Sequence, residues 1–600
     1  MSLLPTLRYL RHLPPTMVLG KAAHTLREKL LQRFPPPASC IRAEDGPFFQ
    51  SHNMSGFADS YRCAGDRFRE AAAIWDGKFF TKEVGWDFGS DRSMDWLLRF
   101  EGQGERVNWN YDWCAFSHAI ALVSCDASRA VKTIAGLVQR MEQVHPIGSE
   151  ARTLVWEPIV VALRIMGLSV AANLASRAGV DDPSSMFVLA RHVDYCHKAL
   201  TALCETYLGY NHAAFGISGI LVADLALNRQ ATPFAHKAAA RVFASQVLPD
   251  GFHAERSPTY HIHVLLLLRS LLHSNILPVG DVPFLEALEA KMVVALHTVV
   301  HPDGEIAILN DSAIGDSVPP AKVGWCPARS RTSVSVLPDA GYVALQNDGA
   351  SIIFDAGPLG PPENCGHGHA DFLSIEASVR KQRVIVDPGV FSTSKGELRD
   401  RTRSAQTHNG PSYLGLEPAE FFGAWRVGRR GTAWFEKDLP ALLPCEAAGA
   451  ADGYARFGGM VVRYVGMTAN GGMVIGDLWK DAPGLEPHLS FLIAEPWEVV
   501  VSSTEQLELH DKQQPETRLR IQIMAGTLAE VDSDAWSPQG PMLPQTGTRF
   551  SIVPQDRRFA CLSLGSTDAH AQEPLPPISA IHAYLADRLA ANSTCKKLRK

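Results

Sequence analysis

From about residue 110 to 300 apolar residues recur at three- and four-residue steps, as in Trp113, Phe116, Ala119, Ile120 and Val123, and again in Leu163, Ile165, Met166, Leu168, Val170 and Ala171. That spacing gathers them on one face of a helix, since each residue turns the chain by about 100°. Further helical runs are predicted over 186–207, 212–227, 236–248, 260–272 and 284–300, separated by short polar or Pro/Gly connections. Ala213, Ala214, Gly216 and Gly219 remove bulk from one of these helices, which lets its neighbours approach closely. A ring of paired helices and a simple bundle both fit.

After about residue 330 the period shortens. Runs rich in β-branched residues over 342–345, 351–354, 383–386, 460–465, 473–478, 518–524 and 550–553 read as strands, and the Asn347-Asp348-Gly349 and Asn470-Gly471-Gly472 sequences as turns between them. The pattern predicts a multidomain chain, α then β: a mostly helical segment over 1–100, a helical domain over 101–330 and a β-sandwich over 331–600. The change falls in the Pro- and Ser-rich stretch from Ser317 to Val336.

Length supports this division, because 600 residues exceed what one core serves. With 57 Lys and Arg against 63 Asp and Glu, the net charge of -6 gives no field that recruits nucleic acid. No segment approaches the apolar length that would span a bilayer. Eleven cysteines without a CxxC pair read as reduced thiols. The N-terminus carries Arg8, Arg11, Lys21, Arg27 and Lys29, and Pro14, Pro15 and Gly20 interrupt its apolar stretches. It reads as one or two basic amphipathic helices, without the apolar h-region of a signal peptide. Oligomeric state is not encoded in these patterns.

Chemistry concentrates in a few polar loops. Asn211-His212 opens a helix, and Asp250-Gly251-Phe252-His253-Ala254-Glu255-Arg256-Ser257-Pro258-Thr259-Tyr260-His261 precedes another, whose N-terminal end favours anions. In the β half, Gly366-His367-Gly368-His369-Ala370-Asp371 exposes two imidazoles between glycines. Val386-Asp387-Pro388-Gly389 and Thr407-His408-Asn409-Gly410 add a carboxylate and a third imidazole, and His/Asp/His is a ligand set that suits zinc. Taken singly, each loop is accounted for equally by a turn or a helix cap. Trp425, Arg426, Arg429 and Arg430 combine a ring that stacks on sugars with guanidinium groups that bind carboxylate or sulfate. Walker loops, GxSxG elbows and HExxH helices are missing, which removes support for kinase, serine hydrolase and zincin readings.

The set of β-half motifs, together with Trp156-Glu157-Pro158, Arg164, Asn211-His212 and the segment from Glu255 to His261, resembles the heparinase II/III family of polysaccharide lyases over roughly residues 100 to 570. The resemblance implies an incomplete (α/α) toroid followed by an antiparallel β-sandwich, with the site in the cleft between them. It implies β-elimination at a uronic acid, which needs a neutralised carboxylate, a base for the adjacent carbon acid and an acid for the departing oxygen. By the resemblance, Tyr260 transfers protons and its phenol ionises easily beside Arg or protonated His. His367 is proton acceptor or carboxylate partner, and Asn211 and His212 neutralise the carboxylate. Glu255, Arg256, Trp425, Arg426 and Arg429 are the expected substrate contacts. His369, Asp387 and His408 fall at positions that hold a structural zinc.

The expected partner is an acidic polysaccharide without a specific sulfate signature. A lyase acting on polymer implies the cell envelope or periplasm, whereas the absence of a signal peptide points to the cytoplasm. Two other functions fit the same residues: a non-catalytic glycan-binding or assembly protein of this fold, and a metal-dependent glycan hydrolase.

Overall fold

In the computed structural model, which describes residues 3–36, 39–66, 68, 70–80, 85–87, 107–146, 154–327, 332–538, 544–567 and 573–594, helices succeed one another from His52–Tyr61 to Val282–Leu296. Pro158, Pro183, Pro233 and Pro258 each open one of them. Proline suits that position because its missing N–H is one the helix leaves unbonded. Pro158–Arg177 and Tyr210–Ala226 lie at the centre, buried on nearly every side. The small residues act as anticipated: a Cβ on Gly219 would lie 2.9 Å from Ala162.

One expectation fails here. Pro158–Arg177 is 20 residues long and apolar enough to cross a membrane. Its composition has another cause, because Tyr210–Ala226, Pro183–Leu203 and His52–Tyr61 pack around it and make it a core helix.

Apart from the short antiparallel pair Lys78–Phe80 and Gly85–Asp87 within the N-terminal part, the strands run from Ser333–Leu337 onward. The predicted strands form within about two residues of their expected limits, except that the last starts earlier, at Pro544. They build two antiparallel sheets. One runs Ala433–Phe435, Cys445–Ala451, Val461–Met467, Met473–Trp479, Phe559–Ser566, Arg518–Ala525, Gln506–Asp511 and Trp497–Ser503. The other runs Thr527–Pro538, Pro544–Val553, Pro487–Ile493, Gln382–Ile385, Ile375–Val379, Ala350–Asp355, Tyr342–Gln346 and Ser333–Leu337, with Ser412–Tyr413 paired beside it. Alternate residues of both, among them Phe354, Phe491, Val465 and Ile521, share the sandwich core. The outer face of the first sheet is covered by a helix the strand pattern did not reveal, Ile578–Thr594, through Ile581, Leu585 and Leu589.

The helical and β parts are stitched together by polar groups. Asp250 accepts hydrogen bonds from the Asp339 and Ala340 amides at 2.8 and 2.7 Å, and Arg256 donates to the carbonyls of the same two residues. All ten described cysteines are free thiols.

Buried histidines make this fold acid-sensitive. His118 has no hydrogen-bond partner on either ring nitrogen, and burial among aromatic rings lowers its pKa to about 3. Burial likewise lowers His261 to about 4, with its ring held between the His253 amide and the Met292 carbonyl. A folded pKa below the unfolded value means that the unfolded chain binds more protons as pH falls. Stability should therefore be complete above pH 6.5 and decline toward pH 4, by about 3 kcal/mol there from His261 alone. Melting temperatures across that range test this, and a flat profile would contradict it.

Candidate active site

Two helix starts and one β-domain loop meet at the junction of the domains. Tyr260 stands in the first turn of Pro258–His273, whose N-cap Ser257 accepts from the Tyr260 amide. Asn211 and His212 stand in the first turn of Tyr210–Ala226. The segment between strands Ala350–Asp355 and Ile375–Val379 brings His367, so that its ring centroid lies 4.0 Å from that of Tyr260. Gly368 allows this path, because a Cβ there would run into the Leu359 carbonyl.

The residue that organises the loop is Asp311, which the sequence reading did not single out. Its Oδ2 lies 2.9 Å from His367 Nδ1 and its Oδ1 lies 2.8 Å from His369 Nε2. Arg399, fully buried, grips the same carboxylate with both terminal nitrogens. Burial pushes the Asp311 carboxyl up, but Arg399 and the two histidine bonds outweigh it and hold its pKa well below the usual carboxylate range. An ionised carboxylate only accepts, so His367 donates from Nδ1, which in the neutral ring places the lone pair on Nε2. That nitrogen faces Glu255, 3.6 Å away. The connector also locks the neighbouring helix, since Ser257 donates to the Asp311 carbonyl at 2.7 Å.

Tyr260 departs from expectation. Burial, followed by Asp311, Asp316 and Glu255, raises its pKa well above 10, so the phenol keeps its proton rather than ionising easily. Arg399 opposes this only as a smaller effect.

Polar groups around the Tyr260–His367 pair suit an anion. Burial opposes charge on His212, but Glu205, 2.9 Å from Nδ1, outweighs it and raises the pKa. Asn211 is buried and its side-chain oxygen has no partner. Glu255 is buried with one oxygen unpartnered; desolvation raises its pKa, while its other oxygen accepts from Asn364 at 3.1 Å. Glu157 is raised to about 7 by burial and then by Glu205.

The three expected metal residues lie close together, yet not as one ligand set. His408 Nδ1 is 2.9 Å from Asp387, and the His408 and His369 rings are 5.4 Å apart. His369 turns Nε2 to Asp311 instead. Among the described residues no group of three donors converges on one point. His369 Nδ1 and His408 Nε2 are both buried without a partner, which leaves two nitrogens suited to a cation. Burial also lowers His369 to about 4, keeping it neutral.

The neighbourhood is braced from within the sandwich. Arg463 pairs with Asp477 at 2.7 and 2.9 Å and donates to the carbonyls of Leu373 and Asn409, and Asn409 in turn bonds the Ile375 and Val386 carbonyls.

Residues 329–555 match the family model described as Heparinase II/III-like, C-terminal. The β part is a heparinase II/III-like domain. The whole chain has the corresponding fold: it resembles a heparinase III crystal structure at TM-score 0.62 and 14% identity, covering 92% of this chain and 90% of that one. A heparan sulfate lyase HepC mutant from Pedobacter heparinus (TM-score 0.52, 14% identity, 92% and 90% covered) and the heparinase III BT4657 gene product (0.53, 15%, 92% and 90%) are similar too. No curated protein matches the sequence.

Within the heparinase II/III-like domain, Trp425 stands at the cleft, 41% exposed, with its ring 5.2 Å from His367 and the Arg399 guanidinium 4.9 Å from its centre. Arg426, in the short strand Arg426–Val427 paired with Phe421–Phe422, and Arg429 just beyond it are exposed. Arg256 must be corrected. Its backbone is left-handed, at φ 57°, and its guanidinium donates to the Ala254, Asp339 and Ala340 carbonyls. It joins the domains and is not placed to hold a substrate.

Asp311 had a weak signal, the polar Asn310-Asp311-Ser312 directly after apolar Ile306 to Leu309. Arg399 had none, since Glu397 to Arg403 reads as a solvated charged turn.

Proposed function

We propose that this protein is a polysaccharide lyase that cleaves a uronic-acid-containing polysaccharide by β-elimination. The observation that carries the reading is the Tyr260–His367 pair, one ring from each domain, with Asp311 fixing the histidine tautomer. With Glu255 beside them as a substrate contact, Asn211 and His212 would neutralise the uronate carboxylate, which acidifies the adjacent C–H. His367 Nε2 takes that proton, the electron pair forms the new C=C bond, and the glycosidic C–O bond breaks. Tyr260, protonated, donates its phenolic proton to the departing oxygen. Proton return from His367 to the Tyr260 phenolate, whose ring lies tilted against the imidazole, resets the site. Trp425 offers a stacking surface for a sugar, and Arg426 and Arg429 would contact acidic groups further along the chain.

The substrate class is an acidic glycan, and the heparan-directed relatives make glycosaminoglycans the first panel to test. A rise in ultraviolet absorbance from an unsaturated uronate, with fragment masses summing to the substrate without added water, is expected. Fragments that together gain one water would reject elimination in favour of hydrolysis.

We further propose a structural zinc held by His369 and His408 with Asp387 nearby, whose role would be to brace the loops rather than to act on substrate. The supporting observation is the pair of buried, unpartnered imidazole nitrogens. About one zinc per chain is expected by elemental analysis of protein grown with zinc, and chelation should lower the melting temperature. Protein purified metal-free from that medium, melting identically with and without chelator, would discard the site. A lyase acting on extracellular polymer would work in the cell envelope or periplasm.

A further inference from the structure

The helices Leu3–Leu10 and Pro15–Arg33 each turn some residues onto the protein and leave several apolar ones exposed. The inner faces are spent on the rest of the molecule. Arg8 bonds Glu420 at 2.6 Å, Tyr9 packs edge-on against Phe422, and His12 lies 3.2 Å from the Gly428 carbonyl. On the second helix, Gly20 abuts Tyr207 and His24 is buried, its Nε2 3.8 Å from Glu205.

The outer faces are apolar and exposed. Leu4, Leu7 and Leu10 recur at three-residue steps, and Val18, Leu19, Leu26 and Leu30 share the outer side of the second helix, with Leu19 at 69% and Leu26 at 59% exposure. Single exposed leucines are ordinary, but a series of them on each of two successive helices is not. Its rim is cationic: Arg11, Lys21, Arg27, Lys29 and Arg33 are all exposed. The one acidic residue of the segment, Glu28, lies 3.4 Å from buried His24 and so belongs to the inner side. The rest of the chain is acidic on balance, since the whole carries -6 while this segment is positive.

We propose that this outer face is a docking surface for an anionic phospholipid bilayer. An amphipathic helix lying in the interface buries its apolar side among the acyl chains while Lys and Arg at its edges meet the phosphates. Charge decides for this occupant over a second copy: two such rims face to face would repel. The inner contacts hold the helices on the protein, so docking needs no unfolding of the cleft.

The test floats the full-length protein with vesicles of phosphatidylglycerol and phosphatidylethanolamine, and separately with phosphatidylcholine alone. Recovery with the anionic vesicles should exceed that with phosphatidylcholine by about tenfold and fall in high salt. The triple variant Leu19→Glu/Leu26→Glu/Leu30→Glu should stay at the bottom of the gradient with an unchanged melting temperature. If that variant misfolds, Lys29→Glu/Arg33→Glu, which keeps every leucine, should show the same loss. Wild-type protein that does not float with anionic vesicles overturns the proposal. So does equal flotation with both lipids, or a dimer by light scattering that the leucine variant splits, which would assign the face to a second copy.

Discussion

Tyr260→Phe should lower kcat by about a thousandfold, or about 4 kcal/mol of transition-state stabilisation, while leaving KM and the melting temperature nearly unchanged. The ring remains and continues to pack beside His367, so only the proton is removed. The size follows from the job: an alkoxide leaving without a proton is a poor leaving group. Because the phenol holds its proton at neutral pH, the variant loses the acid, and the base on His367 survives. Initial rates of unsaturated product on a cleaved glycan measure this. A variant retaining more than about a tenth of wild-type kcat would remove Tyr260 from proton transfer.

Asp311→Asn should damage both activity and stability. An amide cannot hold both histidines and a buried guanidinium, and its own N–H groups would confront donors. Arg399 would be left as an unpaired buried charge, at a cost of about 3–5 kcal/mol. His367 would also lose the partner that fixes its tautomer, and kcat should fall by at least about a hundredfold. The two effects separate in Asp311→Asn/Arg399→Met, which removes the stranded charge: stability should recover in part and activity should not. Melting curves and kcat measured on both variants decide it, and full activity in either would show that Asp311 only supports the fold.

These two variants differ in what the chain announces about them. Tyr260 and His367 lay in segments whose composition is odd for connections, with polar and titratable residues beside glycine and proline, and their family resemblance gave them roles. The strands around them were equally legible, since a shift from helical period to alternation marks where one face is buried. Asp311 and Arg399 sit in ordinary sequence. They are 88 positions apart, and only burial against each other makes them a unit. Arg256 shows the reverse error: a charged residue in a site-like segment proves to bond the turn at Asp339 and Ala340, a partner that local pattern cannot reveal. Pro158–Arg177 is ambiguous in the same way: its length and composition would suit a membrane, and only the helices packed around it show a core helix.

By itself, then, the sequence determined the α-then-β order, most strands, the small-residue helix at the centre and the loops that hold the chemistry, because each of these is written in spacing along a few turns or strand repeats. Tertiary structure alone decided the pairing of Tyr260 with His367, the carboxylate they depend on, the division of His369 from His408 and Asp387, and which face of the N-terminal helices stays open. Those depend on distances between residues far apart in the chain, and burial changes both their charge and their available partners.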